Sequence, residues 1–396
     1  MRILSVSAQK PDSTGSGVYL TELVRGFEKL GHEQAVLCGV TKEDVIQLPE
    51  SVKCYPVYYK TDAMPFAVCG MSDEMPYEST RYCDMTEEMT AQYRKTFLEK
   101  VRQIMDEFQP DIVLCHHLYY LTSLIRGNYP DKKVYAICHG SDMRQVKKNV
   151  WQRDYIREQI PKMNFIFALH EEQKKIICEY YGCDDEKVQV IGTGYNSHIF
   201  RRLGNKEKSE ELRLIFAGKI SEKKGVKSLI KSLEYLKDEN VVLKLAGGAG
   251  NVKEYAEIEE LAKECSCEVK FLGKLTQQEL AAQVNDSDVF VLPSFYEGLP
   301  LVIIEAMACG ARVVCTDLPG IQPWIDKALP GNGIEFVKPP QMLNEDEPIE
   351  ESLPVFEKEL AEAILKVRGN ELLSEETLKK ISWDGLCEKL IQFWGE

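Results

Sequence analysis

The stretch VFVLPSFYEGLPLVIIEAMACG, residues 289–310, reads as one complete strand–turn–helix unit of an α/β fold. VFVLPS is a short continuous apolar run, the signature of a strand buried on both faces. Phe295 to Gly298 turn the chain. Pro300 suits the first turn of a helix, where its missing N–H costs nothing. LVIIEAMACG then reads as a buried helix with Gly310 at its end. Glu297 therefore stands in the loop at the strand's carboxyl end. Glu305 follows eight positions later, over one helical turn inside. A carboxylate on an otherwise apolar helix is costly to bury unless something bonds it.

The same alternation runs outward in both directions. The first half offers strands at 3–8, 34–40, 53–59, 111–117, 133–140, 165–170 and 188–194. The second offers them at 212–220, 241–248, 269–275, 289–294 and 312–317, with GIEFVKP at 333–339 as a further candidate. Amphipathic helices lie between. In VYLTELVRGFEKLGH, Val18, Leu23, Val24, Phe27 and Leu30 fall on one face and Gly31 follows the last turn. Two such series predict two Rossmann-like domains with parallel sheets. The polar segment NSHIFRRLGNKEKSEE places the seam near 194–210. Residues 61–95, which hold five of the eleven methionines, and residues 338–354 break the alternation and read as surface insertions. The closing helix carries Trp383, Leu386, Leu390 and Trp394 as an apolar stripe, which must pack on something.

Composition narrows the function classes. The chain has 396 residues and a formal net charge of −14, so bulk charge attracts neither nucleic acid nor an anionic membrane. No apolar run approaches the ~20 residues of a membrane span, and the opening MRILSVSAQ reads as a first strand and not as a signal peptide. Thirteen scattered cysteines without a secretion signal read as reduced thiols, with a cytoplasmic location. The CxC at Cys265 and Cys267 and the CxxxxC at Cys178 and Cys183 lack partner pairs at zinc-site spacing, so no metal is expected.

In open α/β sheets, ligands bind outside the carboxyl ends of the strands. Gly15, Ser16 and Gly17 follow the first strand and lead into a helix, an arrangement that lets backbone approach an anion; a tight turn with no ligand is the equal alternative. In FAGKISEKKGVKSL, Gly218 and Lys219 end a strand, and Lys223, Lys224 and Gly225 open the next helix. Lys219 and Lys224 across such a loop suit a phosphate, although most loop lysines are simply solvated. In the quoted stretch, free amides near Gly298 and Leu299 suit a phosphate, Glu305 a ribose and Glu297 the hydroxyls of a sugar. The spacing fits a nucleotide-sugar, whose two carbohydrate rings flank a diphosphate.

Glu297 and Glu305 form an E-x7-E pattern in the context PSxxEGLPLVIIEAMACG. With GKISEKKG and the GSG turn, it resembles the GT-B-fold retaining glycosyltransferases of family 4, over nearly the whole chain. The resemblance implies an acceptor domain at 1–196 and a nucleotide-sugar donor domain at 197–379, their parallel sheets facing each other across a cleft. The helix at about 380–396 would pack back on the first domain. Lys219, where the family usually has arginine, and Lys224 would neutralise the leaving diphosphate. Glu305 would hold the ribose and Glu297 the donor sugar. Gly15 to Gly17 would approach the diphosphate. Gly298, Leu299, Pro300 and Leu301 would line the donor site, and Gly273, Lys274 and Leu275 would contact the base. In LAGGAG, Gly248 stands where the family usually has an acidic residue; Asn196 stands at a usually acidic or amide position. His139 in YAICHGSDMR matches the family's active-site histidine, facing the donor sugar; His116 and His117 are weaker candidates.

What the resemblance implies is transfer of a sugar from UDP-GlcNAc or UDP-glucose to an unidentified glycan, lipid or small molecule. It implies retention by front-face substitution, no covalent nucleophile, no cofactor and no metal. Arg144, Lys147, Lys148, Arg153 and Arg157 form a basic stretch that meets an anionic acceptor or membrane in some relatives; a solvated helix face is the plainer reading. The alternatives are a non-catalytic nucleotide-sugar-binding subunit and another GT-B enzyme, such as a phosphorylase or an epimerase. The incomplete glycine fingerprint disfavours a nicotinamide dehydrogenase.

Overall fold

The structure is a computed structural model and describes residues 1–11, 13–72, 75–204, 209–249, 251–297, 299–344 and 347–395. The chain forms two compact units, Met1–Gly194 with Trp383–Glu396 and Tyr195–Ser382.

The first unit is built on β1 (Arg2–Val6), β2 (Glu33–Val40), β3 (Lys53–Tyr58), the short pair β4 (Cys69–Gly70) and β5 (Thr80–Arg81), β6 (Ile112–His116), β7 (Lys133–Ile137), β8 (Phe165–Ala168) and β9 (Val188–Val190). All but the short pair lie in one parallel sheet of order β3-β2-β1-β6-β7-β8-β9. Its interior strands are buried over nearly their whole length because helices cover both faces. These helices are α1 (Gly15–Lys29), α2 (Glu87–Glu107), α3 (Tyr120–Asn128), α4 (Ser141–Lys148), α5 (Arg153–Gln159) and α6 (Glu171–Tyr181). On α1 the inward stripe is Leu20, Leu23, Val24 and Phe27, with Tyr19 beside it. The expected flanks differ: Val18 is half-buried and Leu30 is 38% exposed, because the helix ends before Leu30 can turn inward.

The second unit repeats the plan with β10 (Leu212–Ala217), β11 (Val241–Ala246), β12 (Glu268–Gly273), β13 (Val289–Leu292), β14 (Arg312–Thr316) and β15 (Glu335–Val337). They form one parallel sheet of order β12-β11-β10-β13-β14-β15. Its helices are α7 (Val226–Ser232), α8 (Val252–Glu264), α9 (Gln277–Asn285), α10 (Leu301–Ala308), α11 (Ile321–Ala328), α12 (Leu353–Lys366) and α13 (Glu375–Lys379). In each sheet the strand order reverses beside the first strand, between β1 and β6 and between β10 and β13. Those are the points where such sheets open a crevice.

The last helix, α14 (Trp383–Gln392), belongs to the first unit. Trp383, Leu386 and Leu390 are buried, as is Trp394 beyond the helix end. A Cβ at Gly26 of α1 would run into the Cys387 thiol of α14, so the glycine sets how closely the two helices pack. Lys29 and Asp384 pair at 2.9 Å across the same seam.

Residues 61–95 are not the surface insertion their composition suggests. Met64, Val68, Cys69, Met71, Tyr82, Met85 and Tyr93 are buried in the first unit's core. Methionine and tyrosine fill an irregular volume that has no helical or strand period to read. Among the described residues no helix is long and apolar enough to cross a membrane, and all thirteen cysteines are free thiols.

Candidate active site

In the second unit the carboxyl ends of β10, β11 and β12 frame a cavity of about 610 Å³. It is lined by Gly218, Lys219, Gly248, Lys274 and Leu275, with Val302 of α10 closing one side. That is the size range of small-molecule sites. Three backbone bonds weave the strand tails into its floor. Gly218 N–H donates to Ala246 O at 2.9 Å, Gly247 N–H to Gly273 O at 2.8 Å and Ile220 N–H to Gly248 O at 3.0 Å. Gly247 has φ +152° and a Cβ there would collide with the Gly218 carbonyl, so only glycine fits. Gly248 has a different neighbour: the Lys274 stem lies across it, with Cε 2.6 Å from where a Cβ would stand. An acidic side chain at 248 would have to displace that lysine.

Glu297 is fixed beyond the end of β13. Its Oε1 accepts from the Lys224 ammonium at 2.7 Å and from the Ser294 hydroxyl at 2.7 Å. Lys224 also reaches the Tyr296 carbonyl at 3.3 Å. It closes a single 3-10 turn, Glu222–Lys224, after which Gly225 adopts φ +68°. A Cβ at Gly225 would strike the Pro293 carbonyl, so this glycine lets the loop after β10 lie against the end of β13. The Phe295 amide bonds the Lys223 carbonyl at 3.0 Å and holds the same approach. The expected lysine pair is thus divided: Lys219 borders the cavity, and Lys224 is committed to Glu297.

Glu305 lies three residues beyond Val302 on α10, hence on the same side of the helix. No hydrogen bond or ion pair reaches its carboxylate among the described residues, and burial pushes its pKa up to about 7. The helix begins at Leu301, so Pro300 precedes its first turn and does not occupy it. Leu299 and Leu301 are half-buried and Pro300 is buried. Gly298 lies outside the described residues.

In the first unit the ends of β1, β6 and β7 carry a histidine cluster. His139 Nε2 and His116 Nδ1 are 3.1 Å apart, with the ring centroids 5.2 Å apart and the ring planes inclined by only 10°. His117 is held at φ +78°, and its Nε2 lies 3.1 Å from the Ser16 hydroxyl. Burial lowers all three pKa values, His116 to about 3, so the cluster is neutral. Gly15 to Gly17 are themselves the first turn of α1. Gly15 is open, but the Gly17 amide donates to the Thr14 hydroxyl at 3.2 Å. The helix cap therefore occupies one amide expected to face an anion.

Asp142 is the residue of this cluster that sequence reasoning missed. Fully buried at the start of α4, it accepts from the Leu118 amide at 2.8 Å, the His139 amide at 3.3 Å and the Cys138 thiol at 3.3 Å. It ties the end of β7 to the loop after β6. The run HGSD, an acid just inside a helix start, was the available signal. In the basic stretch, Arg144, Lys147 and Lys148 are exposed. Arg153 is structural: it donates to the carbonyls of Val146, Lys147 and Asn149 and so caps α4.

Two family models match the chain, "Glycosyltransferase Family 4" over residues 13–198 and "Glycosyl transferases group 1" over residues 200–346. Among curated relatives, an uncharacterized glycosyltransferase of Methanocaldococcus jannaschii is 26% identical over 42% of this chain and 45% of its own length. The D-inositol 3-phosphate glycosyltransferase of Streptomyces bingchenggensis is 28% identical over 39% of this chain and 38% of its own. The chain thus spans less than half the length of either. Among solved structures, Anabaena Alr3699/HepE in complex with UDP and glucose superposes over 100% of both chains with a TM-score of 0.63 at 14% identity, which speaks for the fold alone. With one model matching most of the first unit and the other most of the second, the chain belongs to the GT-B-fold glycosyltransferases of family 4.

Proposed function

We propose that the protein is a retaining, metal-independent hexosyltransferase that takes its sugar from UDP-GlcNAc or UDP-glucose and passes it to an acceptor hydroxyl. The observation that carries this reading is the Glu297 constellation. A carboxylate is oriented by Lys224 and Ser294 at the end of β13, eight residues before Glu305, which has no partner among the described residues, and next to a loop that borders a nucleoside-sized cavity. The similarly folded HepE, which holds UDP and glucose, favours a uridine donor.

In this reading the base enters the cavity beside Lys274 and Leu275, and the ribose hydroxyls donate to Glu305. The diphosphate meets Lys219 and draws Lys224 partly off Glu297, which frees a carboxylate oxygen for the sugar hydroxyls. The acceptor oxygen bonds to the anomeric carbon on the face from which UDP departs, and the departing phosphate oxygen takes the acceptor's proton. Negative charge growing on the diphosphate is stabilised by the two ammonium groups, so the proposal needs no metal. Glu297 orients the sugar and forms no covalent bond.

Thermal melting with UDP, GDP, ADP and their glucose conjugates tests the donor half. A ligand at about 100 times its Kd adds roughly 2.7 kcal/mol, a rise of a few degrees for units of this size. A rise with the uridine series alone supports the proposal; a flat panel overturns it.

A further inference from the structure

We propose that His116 is a positioning residue that holds His139 as the Nδ1–H tautomer, so that His139 meets substrate as a hydrogen-bond donor and not as a base. The geometry is a single bond, His116 Nδ1 to His139 Nε2 at 3.1 Å, between rings inclined by only 10°. A neutral imidazole has one N–H and one lone pair, so the proton in that bond fixes both tautomers.

If His139 donated through Nε2, the proton of His116 would sit on its Nε2. That atom is buried in a side chain only 4% exposed and has no partner among the described residues. A buried N–H without an acceptor is the rarer defect; a lone pair without a donor is better tolerated. His116 therefore donates from Nδ1, His139 receives at Nε2, and the His139 proton sits on Nδ1.

Among the described residues nothing nearby offers an escape. Tyr19 of α1 packs its ring against both imidazoles, at 6.2 and 5.1 Å, but its hydroxyl donates to the Gly192 carbonyl at 3.0 Å. His117 turns its Nε2 to Ser16. Asp142 of α4 takes the backbone amide of His139 and lies 3.9 Å from His117 Nδ1. These are the titratable groups facing the pair, and burial keeps both imidazoles neutral. His139 is half-buried, and no partner among the described residues reaches its Nδ1. That edge is the one open to an oxygen of a sugar or a phosphate. The identity of that oxygen rests on the function proposed above; the tautomer does not.

The test is a long-range proton–nitrogen correlation spectrum of the full chain with labelled histidine, its six residues assigned by substitution. His139 is expected as Nδ1–H with a bare Nε2, unchanged between pH 5.5 and 8. His116→Phe keeps a flat ring at this position and removes the donor, so His139 should revert to the Nε2–H form that a free neutral histidine prefers. His116→Gln retains an amide N–H and should keep Nδ1–H. With UDP-glucose as the probe, turnover should fall roughly tenfold in H116F, about what one lost hydrogen bond costs, with KM little changed, and recover in H116Q. An Nε2–H signature for His139 in the unaltered protein, or an H116F spectrum identical to it, overturns the proposal. If no variant turns over either UDP-glucose or UDP-GlcNAc, the donor assignment fails while the spectrum still decides the tautomer.

Discussion

Glu305 is a carboxyl waiting for a donor. Its pKa, raised to about 7 by burial, means that the fold favours its neutral form. Its contribution to stability is complete below the ordinary value of 4.5 and is lost as pH rises through about 7. Ribose hydroxyls need the ionised form as acceptor, so UDP binding should release a proton near neutrality and tighten from pH 6 to pH 8, by roughly tenfold per unit at most. Glu305→Gln should flatten that slope in a calorimetric titration, and its melting temperature should gain on the wild type as pH rises. Glu297 behaves differently because its partner is already present. Glu297→Ala should lower turnover by two orders of magnitude or more, as expected where a developing charge loses its fixed partner. Lys224→Ala should weaken UDP binding as well as turnover. Near-wild-type rates in both variants would sink the assignment. That Glu297 stands in the loop after β13 and Glu305 inside the helix that follows was legible in the sequence. The Lys224–Glu297 pair was not, because 73 positions of chain separate its members.

Among the elements, strands were easier to read than their ends. Every expected strand of the two main sheets is present, yet the readings overran their carboxyl ends: 212–220 stops at Ala217, 241–248 at Ala246 and 133–140 at Ile137. Among the overrun residues are Gly218, Lys219, Gly248 and His139, which leave the ladder to form the sites. Small and polar residues at a strand end look like strand because nothing local contradicts it; the loop's use of them is a tertiary fact. Gly225 is the clearest case. Gly225→Ala should cost about 2 kcal/mol or more, since it places a side chain at positive φ and against a backbone carbonyl. Calorimetry should record a lower transition for the second unit. An unchanged transition would mean that the loop after β10 tolerates another path.

For the molecule as a whole, residues 61–95 and the last helix teach opposite lessons. The first looked peripheral and supplies core; composition misled because buried methionine and tyrosine follow no period. The second was legible at once, since four large apolar residues at helical spacing cannot stay in water. Ending the chain at Ser382 should strip Trp383, Leu386, Leu390 and Trp394 from α1 and leave the first unit unfolded or molten at 37 °C. The second unit should keep a cooperative transition of its own in calorimetry. Two transitions in the truncated chain, both at wild-type temperatures, would show that the helix is dispensable.

The return of α14 to the first unit also orders events on the ribosome. Residues 1–194 emerge before the second unit, but the partner of α1 follows the whole of that unit. The unit translated second can close while the unit translated first still exposes an apolar seam along α1, which chaperones can hold until α14 has emerged.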